Sequence, residues 1–368
     1  MIIDDFVVEI EELAAKDGLR NLTGRPYDCL DFSSNDYLCM SDNQEIIAAG
    51  CELAKKLGAG STGSRVVSGN HQFLEDFEEQ IAKDGNTQGA LIFSSGFMAN
   101  YGALNCLIDQ DTSVFFDKLN HASMYHGAWS SGANLFRYNH LNYEQLEDLL
   151  KQHPAKRKVI VSETAYGMYG DVADIGTLLA LADKYGAFLF LDESHATGLY
   201  GKFGYGVSSD FPVAADNVII MGSFSKALGG NGAYVASSLK LKKYFINKCS
   251  SFVFTTAPSP FSIGAAQHAW SLVKGLGEVR KQIMDYGRLL RSKLSSAGYQ
   301  VSGEGTNIIP VSFETNQEML ASYSLLRDKQ IAVSKRFTAK GPKLKIAVNA
   351  KHRLEDLDRL IAGLSTAG

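Results

Sequence analysis

Two apolar runs in this 368-residue chain stop abruptly in residues able to do chemistry. The first, Phe188-Leu-Phe-Leu-Asp192-Glu-Ser-His195, delivers a carboxylate and, three residues on, an imidazole. The second, Val218-Ile-Ile-Met-Gly-Ser223-Phe-Ser225-Lys226, delivers two hydroxyls and an amine. Runs this apolar fit strands buried on both faces of a parallel sheet, and such sheets bind ligands beyond their carboxyl ends. An ionised aspartate at that depth needs a cationic partner. A lysine that forms a Schiff base and an aspartate that faces a pyridinium nitrogen are the protein groups pyridoxal 5'-phosphate needs most, so Lys226 and Asp192 point to that cofactor. The hydroxyls of Ser223 and Ser225 suit its phosphate, and Ala227-Leu-Gly229-Gly230 lets the backbone come close. His195 reads either as a satisfied core histidine or as a donor to the phenolic oxygen, and its short offset from Asp192 favours the second.

Other segments carry weaker signals. Ser94-Ser95-Gly96-Phe97-Met98-Ala99-Asn100 sits where a strand turns into a helix, and a helix amino terminus offers free N–H groups to a phosphate. His121, in Asp117-Lys-Leu-Asn-His121-Ala-Ser, follows another strand end; it either starts a helix or stacks on the cofactor ring, and its company favours stacking. The glycine-rich loop Gly58-Ala-Gly-Ser-Thr-Gly-Ser-Arg65-Val-Val-Ser-Gly69-Asn70 lacks the lysine of a nucleotide P-loop and follows no strand. The remaining histidines show no metal-ligand spacing.

The elements that must position these residues follow from the hydrophobic pattern. Strands are expected at 90–95, 113–117, 134–138, 157–163, 187–192, 217–222 and 232–237, with helical patterns between most of them. That alternation predicts a mainly parallel, seven-stranded α/β domain. After Pro258 and Pro260 one long helical stretch is expected to about 297. It leads to a smaller α+β unit with strands near 308–314 and 343–349 and a closing helix near 353–365. The expected division is an N-terminal segment 1–40, a large domain 41–272 and a small domain 273–368.

With 45% hydrophobic and 21% charged residues, the composition is that of a globular enzyme. The net charge of −4 implies no basic face, which disfavours nucleic acid and anionic membranes as partners. The start lacks a basic signal-peptide region and no apolar run approaches a membrane span, so a cytoplasmic location is expected. Five scattered cysteines without a CxxC read as reduced thiols.

Taken together, Asp192-Glu-Ser-His195, Ser223-Phe-Ser-Lys226, Ser95-Gly-Phe-Met-Ala-Asn100 and Asn120-His121-Ala-Ser resemble the α-oxoamine synthases, fold-type I pyridoxal phosphate enzymes. Phe32-Ser-Ser-Asn-Asp-Tyr-Leu38 resembles them too. The loop 60–70 and the short length are most similar to the branch that condenses L-alanine with a pimeloyl thioester of coenzyme A (pimeloyl-CoA) or acyl carrier protein (pimeloyl-ACP) in biotin synthesis. Sibling branches use glycine or serine with other acyl thioesters. The resemblance implies that Lys226 holds the cofactor and moves the α-proton, Asp192 keeps the pyridine nitrogen protonated, His195 bonds the phenolic oxygen and His121 covers the ring. It implies a phosphate site of Ser95, Gly96, Phe97, Ser223 and Ser225. Thr255 and Thr256 match a segment that reaches the neighbouring subunit's phosphate, which places the site at a homodimer interface. Arg20, Asn35 and Lys345 match substrate-binding positions.

Three departures from the family stand out, the mildest being Ser194 where the family's Asp-Asp/Glu-Ala-His has alanine. Its serine after Thr/Ser-Glu-x-x-x is Gly167 here, which removes a hydroxyl. Its carboxylate-binding arginine falls on Lys345, which keeps the charge but loses the bidentate fork, with Arg336 a nearby substitute.

Overall fold

The computed structural model describes residues 2–15, 18–19, 22, 28–338 and 340–364. Arg20 lies outside them. The chain divides into two compact units, one of Asn35–Gly167 and Asp171–Gln282, the other of Met1–Ser34, Met168–Gly170 and Ile283–Gly368.

In the larger unit seven strands form one sheet: β1 Gly89–Phe93, β2 Thr112–Asp117, β3 Asn134–Tyr138, β4 Arg157–Glu163, β5 Phe188–Asp192, β6 Val218–Ser223 and β7 Ala233–Ser237. Their spatial order is β1-β7-β6-β5-β4-β2-β3. Every neighbouring pair is parallel except those made by β7, which runs antiparallel to β1 and β6. The β-branched and aromatic runs of β4, β5 and β6 fit a pleated surface, and residues on both faces of each strand are buried. Val161, Phe190, Ile219 and Met221 pack on one face against Ala103 and Leu104 of the helix Gly96–Leu107. Pairing in register sets Glu163 beside Asp192 and Asp192 beside Met221, so three strands end level with one another.

In the smaller unit, β8 Gln300–Val301, β9 Ile308–Ser312, β10 Ser334–Thr338 and β11 Gly341–Ala347 form an antiparallel sheet in the order β10-β11-β9-β8. A short parallel pair joins Leu30–Asp31 to Ile331–Ala332. Leu344 and Ile346 enter an apolar core with Leu290, Ile309 and Leu357. Lys343 and Lys345 alternate to the other face and are nevertheless buried.

The long helix expected after Pro260 is two helices, Pro260–Val273 and Gly277–Ser296. The break falls where Gly275 and Leu276 donate to Leu272 and Val273, a tightened turn in a stretch that Gly275 and Gly277 make poor helix.

A partly buried imidazole staples the loop after β4 to the end of β2. His140 Nδ1 lies 3.0 Å from Asp117 Oδ1 and its Nε2 lies 3.1 Å from Asp171 Oδ2. Burial alone would lower its pKa, but the hydrogen bonds to Asp117 and Asp171 outweigh that and raise it to about 9. A histidine raised in the folded state stabilises fully below its unfolded value near 6.5 and loses that contribution as pH rises through its folded value. Replacing His140 by Gln should therefore lower the melting temperature most below pH ~6.5, at a cost on the order of 3 kcal/mol. The gap from wild type should close as pH passes 9. Melting curves of both proteins across that range check this, and a gap that stays constant with pH would contradict it.

Candidate active site

Lys226 stands just beyond β6, in a loop closed by three backbone hydrogen bonds: Phe224 N–H to Gly232 at 3.0 Å, Gly230 N–H to Phe224 at 2.8 Å and Gly229 N–H to Lys226 at 2.9 Å. Gly229 has φ +64°, and a Cβ there would meet the Ser41 amide nitrogen at 2.3 Å, so glycine alone closes the loop this tightly. The result is a closed loop that carries Lys226 just beyond the carboxyl end of β6.

Four ionisable groups gather near that end, Lys226, Asp192, Glu163 and Glu193. Burial lowers the Lys226 pKa, opposed by the charges of Asp192 and Glu163, so more of the amine is neutral and nucleophilic than in water. Burial pushes the Glu163 carboxyl up to about 8, with Asp192 adding to the rise and Lys226 opposing it. Glu193 is likewise raised to about 7 by burial; its Oε1 accepts from the Ser208 amide at 2.8 Å and its Oε2 has no hydrogen-bond partner among the described residues. Glu163 and Glu193 escaped the sequence reading, although Glu163 ends an apolar strand in the same way as Asp192.

Asp192 is 4% exposed and held from two sides. Its Oδ1 accepts from the Ser194 amide at 2.8 Å and its Oδ2 from Asn100 Nδ2 at 2.7 Å. Asn100 Nδ2 also reaches Ser123 Oγ at 3.0 Å, and Ser123 Oγ meets His121 Nδ1 at 2.8 Å. A chain of hydrogen bonds thus runs from the carboxylate to the imidazole. His121 also caps the helix Ala122–Trp129, accepting from the Ser123 amide at 3.3 Å. Loss of hydration lowers its pKa, with Asp192 opposing and Lys226 assisting, so its ring is the neutral form that stacks well on a flat cofactor.

The cradle beside Lys226 is built from two elements. Ser95 caps the helix Gly96–Leu107, its Oγ accepting from the Met98 amide at 3.3 Å. The amides of Gly96 and Phe97 precede that helix's own bonding pattern and carry its positive end. A Cβ on Gly96 would lie 3.9 Å from Ser223 Oγ, and Ser223 Oγ meets Ser225 Oγ at 2.7 Å. Hydroxyls and a helix terminus therefore converge on one small volume, the chemistry a phosphate requires. Ser94 Oγ donates to the Thr256 carbonyl at 3.1 Å, which ties the Thr255-Thr256 segment to the residue before the Ser95 cap. Next to them Phe254 is 86% exposed.

His195 points its Nδ1 at the Tyr37 hydroxyl, 2.7 Å away, and that hydroxyl lies 3.1 Å from Asn35 Oδ1. Tyr37 has no place in the sequence reading; only its position in Asn35-Asp-Tyr37-Leu hinted at it. Gly167 gives its side-chain space to His195, for a Cβ there would lie 1.8 Å from His195 Nε2. Lys345 and Arg336 belong to the smaller unit. Lys345 is buried between Pro310 and Ser334 in register, and Arg336 Nη1 donates to the Lys335 carbonyl at 3.1 Å. Among the described residues, no group of three or more histidine, cysteine, aspartate or glutamate side chains is arranged to hold a metal ion.

An amine whose pKa burial lowers, a buried carboxylate and a phosphate cradle make a donor set that fits pyridoxal phosphate. Comparison with known proteins agrees. The aminotransferase class I and II family matches residues 27–364. A protein of Geobacillus kaustophilus, provisionally named 8-amino-7-oxononanoate synthase, is 38% identical over 353 residues, covering 94% of this chain and 90% of the relative. The solved serine palmitoyltransferase of Sphingomonas wittichii superposes with a TM-score of 0.91 at 27% identity, covering 100% of this chain and 97% of that one. The 8-amino-7-oxononanoate synthase of Francisella tularensis superposes with a TM-score of 0.82 at 25% identity, covering 93% and 98%. The fold, the site chemistry and these likenesses converge: the chain belongs to the aminotransferase class I and II family, fold-type I, and within it to the α-oxoamine synthases, pyridoxal phosphate-dependent acyltransferases.

Proposed function

We propose that this enzyme is an 8-amino-7-oxononanoate synthase, condensing L-alanine with a pimeloyl thioester of coenzyme A or acyl carrier protein to give 8-amino-7-oxononanoate, carbon dioxide and the free thiol, in the cytoplasm. The observation that carries this reading is the 38% identity, over nearly the whole of both chains, to a relative provisionally given that activity.

The residues fit the task. Bound pyridoxal phosphate supplies an electron sink for negative charge on the amino acid's α-carbon. Lys226 would bind it covalently through its amine, Asp192 would face its ring nitrogen, and Ser223, Ser225 and the amides of Gly96 and Phe97 would hold its phosphate. Burial lowers the pKa of Lys226, which favours the neutral amine that would take the α-proton and return it later. His121 would cover one face of the ring and shield the site from water. His195 would steady the phenolic oxygen. Lys345 or Asn35 would hold the alanine carboxylate until it leaves as carbon dioxide.

A homodimer belongs to this proposal. Phe97, in the cradle, and Phe254, next to Thr255, are large apolar side chains left 49% and 86% exposed. A second copy packed there would cover them and complete the site.

The high superposition on serine palmitoyltransferase supports a second reading, serine or glycine with a longer acyl thioester. Alanine and glycine differ by one methyl group, worth only ~1–3 kcal/mol of discrimination. A thiol-release assay crossing alanine, glycine and serine with acyl thioesters of graded length decides. Alanine with pimeloyl thioester should give the highest kcat/KM, and preference for serine or glycine would overturn the assignment.

Replacing Lys226 by Ala removes both the covalent anchor and the proton carrier, so turnover should fall by several decades and borohydride should no longer fix the cofactor to the protein. Ordinary turnover in that variant would end the reading. Lys345 gives a finer test. If its ammonium holds the alanine carboxylate, Lys345→Met should weaken alanine binding by about 1.5–3 kcal/mol, and Lys345→Arg should tighten it by restoring a bidentate pair. Titrating alanine against the cofactor's absorbance measures this without an acyl donor, and equal affinity in all three proteins would remove Lys345 from the site.

A further inference from the structure

We propose that Cys106 and Cys249 are a peroxide-sensitive pair that closes into a reversible disulfide, a clasp between the cradle helix Gly96–Leu107 and the turn that leads to Thr255 and Thr256. Neither residue belongs to the site described above, and the inference does not depend on which substrate the enzyme takes. Both lie in the larger unit.

The two sulfurs meet over a gap that glycine leaves in the helix. Cys106 sits in its last turn, and Cys106 Sγ lies 3.5 Å from the Ala103 carbonyl, so the side chain leans back along the helix. Residue 102, four positions earlier, shares that face. It is glycine, and a Cβ there would stand 2.7 Å from Cys249 Sγ and 1.8 Å from Ser251 Oγ. Cys249 follows the helix Leu239–Lys248 and caps its end. Its sulfur is thus seated against the place toward which Cys106 leans, and the two thiols hydrogen-bond to each other. The turn after it is pinned as well. Cys249 Sγ is 3.4 Å from Ser251 Oγ, and Ser251 Oγ donates at 2.7 Å to the carbonyl of Met98, in the first turn of the cradle helix.

The pair divides the roles that disulfide chemistry needs. The hydrogen bond to Cys106 leads in lowering the Cys249 thiol to about 7, with Ser251 and the amides of Ser251 and Phe252 assisting and burial opposing. A large share of Cys249 is therefore thiolate at neutral pH, the form that attacks. Cys106 is half-buried and Cys249 is buried, which favours an oxidant no larger than hydrogen peroxide. The Cys249 sulfur attacks one peroxide oxygen; a sulfur–oxygen bond forms, the oxygen–oxygen bond breaks and hydroxide leaves, giving a sulfenic acid. The Cys106 sulfur then attacks the Cys249 sulfur. A sulfur–sulfur bond forms, the sulfur–oxygen bond breaks, and water leaves with the Cys106 proton. Overall two thiols give up two protons and two electrons, and one peroxide becomes two waters.

The experiment treats holoenzyme with hydrogen peroxide and reads chain mass, linked peptides and melting temperature. Wild type should lose about 2 Da per chain, yield a peptide pair joining Cys106 to Cys249, and return to its starting mass with dithiothreitol. Melting should rise by about 5 °C on oxidation, since the new bond closes a long loop, and fall back on reduction. Cys106→Ser, with turnover like wild type, should form no linked pair and leave Cys249 as a sulfenic acid that dimedone traps. Gly102→Ala should push the Cys249–Ser251 turn off the helix and slow linkage at least about tenfold. Oxidation of the exposed Cys51 while Cys106 and Cys249 stay unlinked would overturn the proposal. A linked pair that leaves melting unchanged would overturn the clasp.

Discussion

The structure depends on how charge is managed where the central strands end. Asp192, Glu163 and Lys226 gather at one place, where burial raises the pKa of Glu163 and lowers that of Lys226. Two carboxylates on adjacent strands in register cannot both stay charged there at low cost. The protein resolves this unequally. Asp192 receives an amide from Ser194 and another from Asn100, while Glu163 is driven up to about 8 and stays mostly protonated below that pH. Asp192 thus has two hydrogen-bond donors, and burial lowers the pKa of Lys226 against the opposing charges of Asp192 and Glu163. The order of the sheet follows from this need, since only neighbouring parallel strands bring three chain segments to their ends at the same level.

Much of this was legible in the chain. Each of the key strands is an apolar run that ends in a polar residue, so sheet class and chemical positions could be read together. The strand Ser334–Thr338 was not foreseen, because Ser-Lys-Arg-Phe-Thr carries too little apolar pattern to signal burial. The pause that splits the helices near Gly275 was hidden by helical periodicity on both sides.

Contacts across long sequence separations were the part that local pattern could not supply. Asn100 reaches Asp192 across 92 residues and Tyr37 reaches His195 across 158, and neither pairing leaves a local signature. Gly167 shows the same limit. As a letter it reads as a lost hydroxyl, whereas in three dimensions it is the room that an imidazole occupies. Likewise Lys345 reads as a charge on a strand of alternating pattern, and only the fold reveals that the charge is buried.

The central claim is that the carboxylate charge of Asp192 makes the site work, and Asp192→Asn isolates that charge. The variant keeps the shape, and Asn100 can turn its amide over to offer the Oδ1 that has no partner among the described residues. The measurement is exchange of the alanine α-hydrogen for deuterium in heavy water without acyl donor. The account predicts that the variant still binds cofactor while exchange falls by roughly two decades or more, because the ring nitrogen no longer stays protonated. Exchange at the wild-type rate would contradict it.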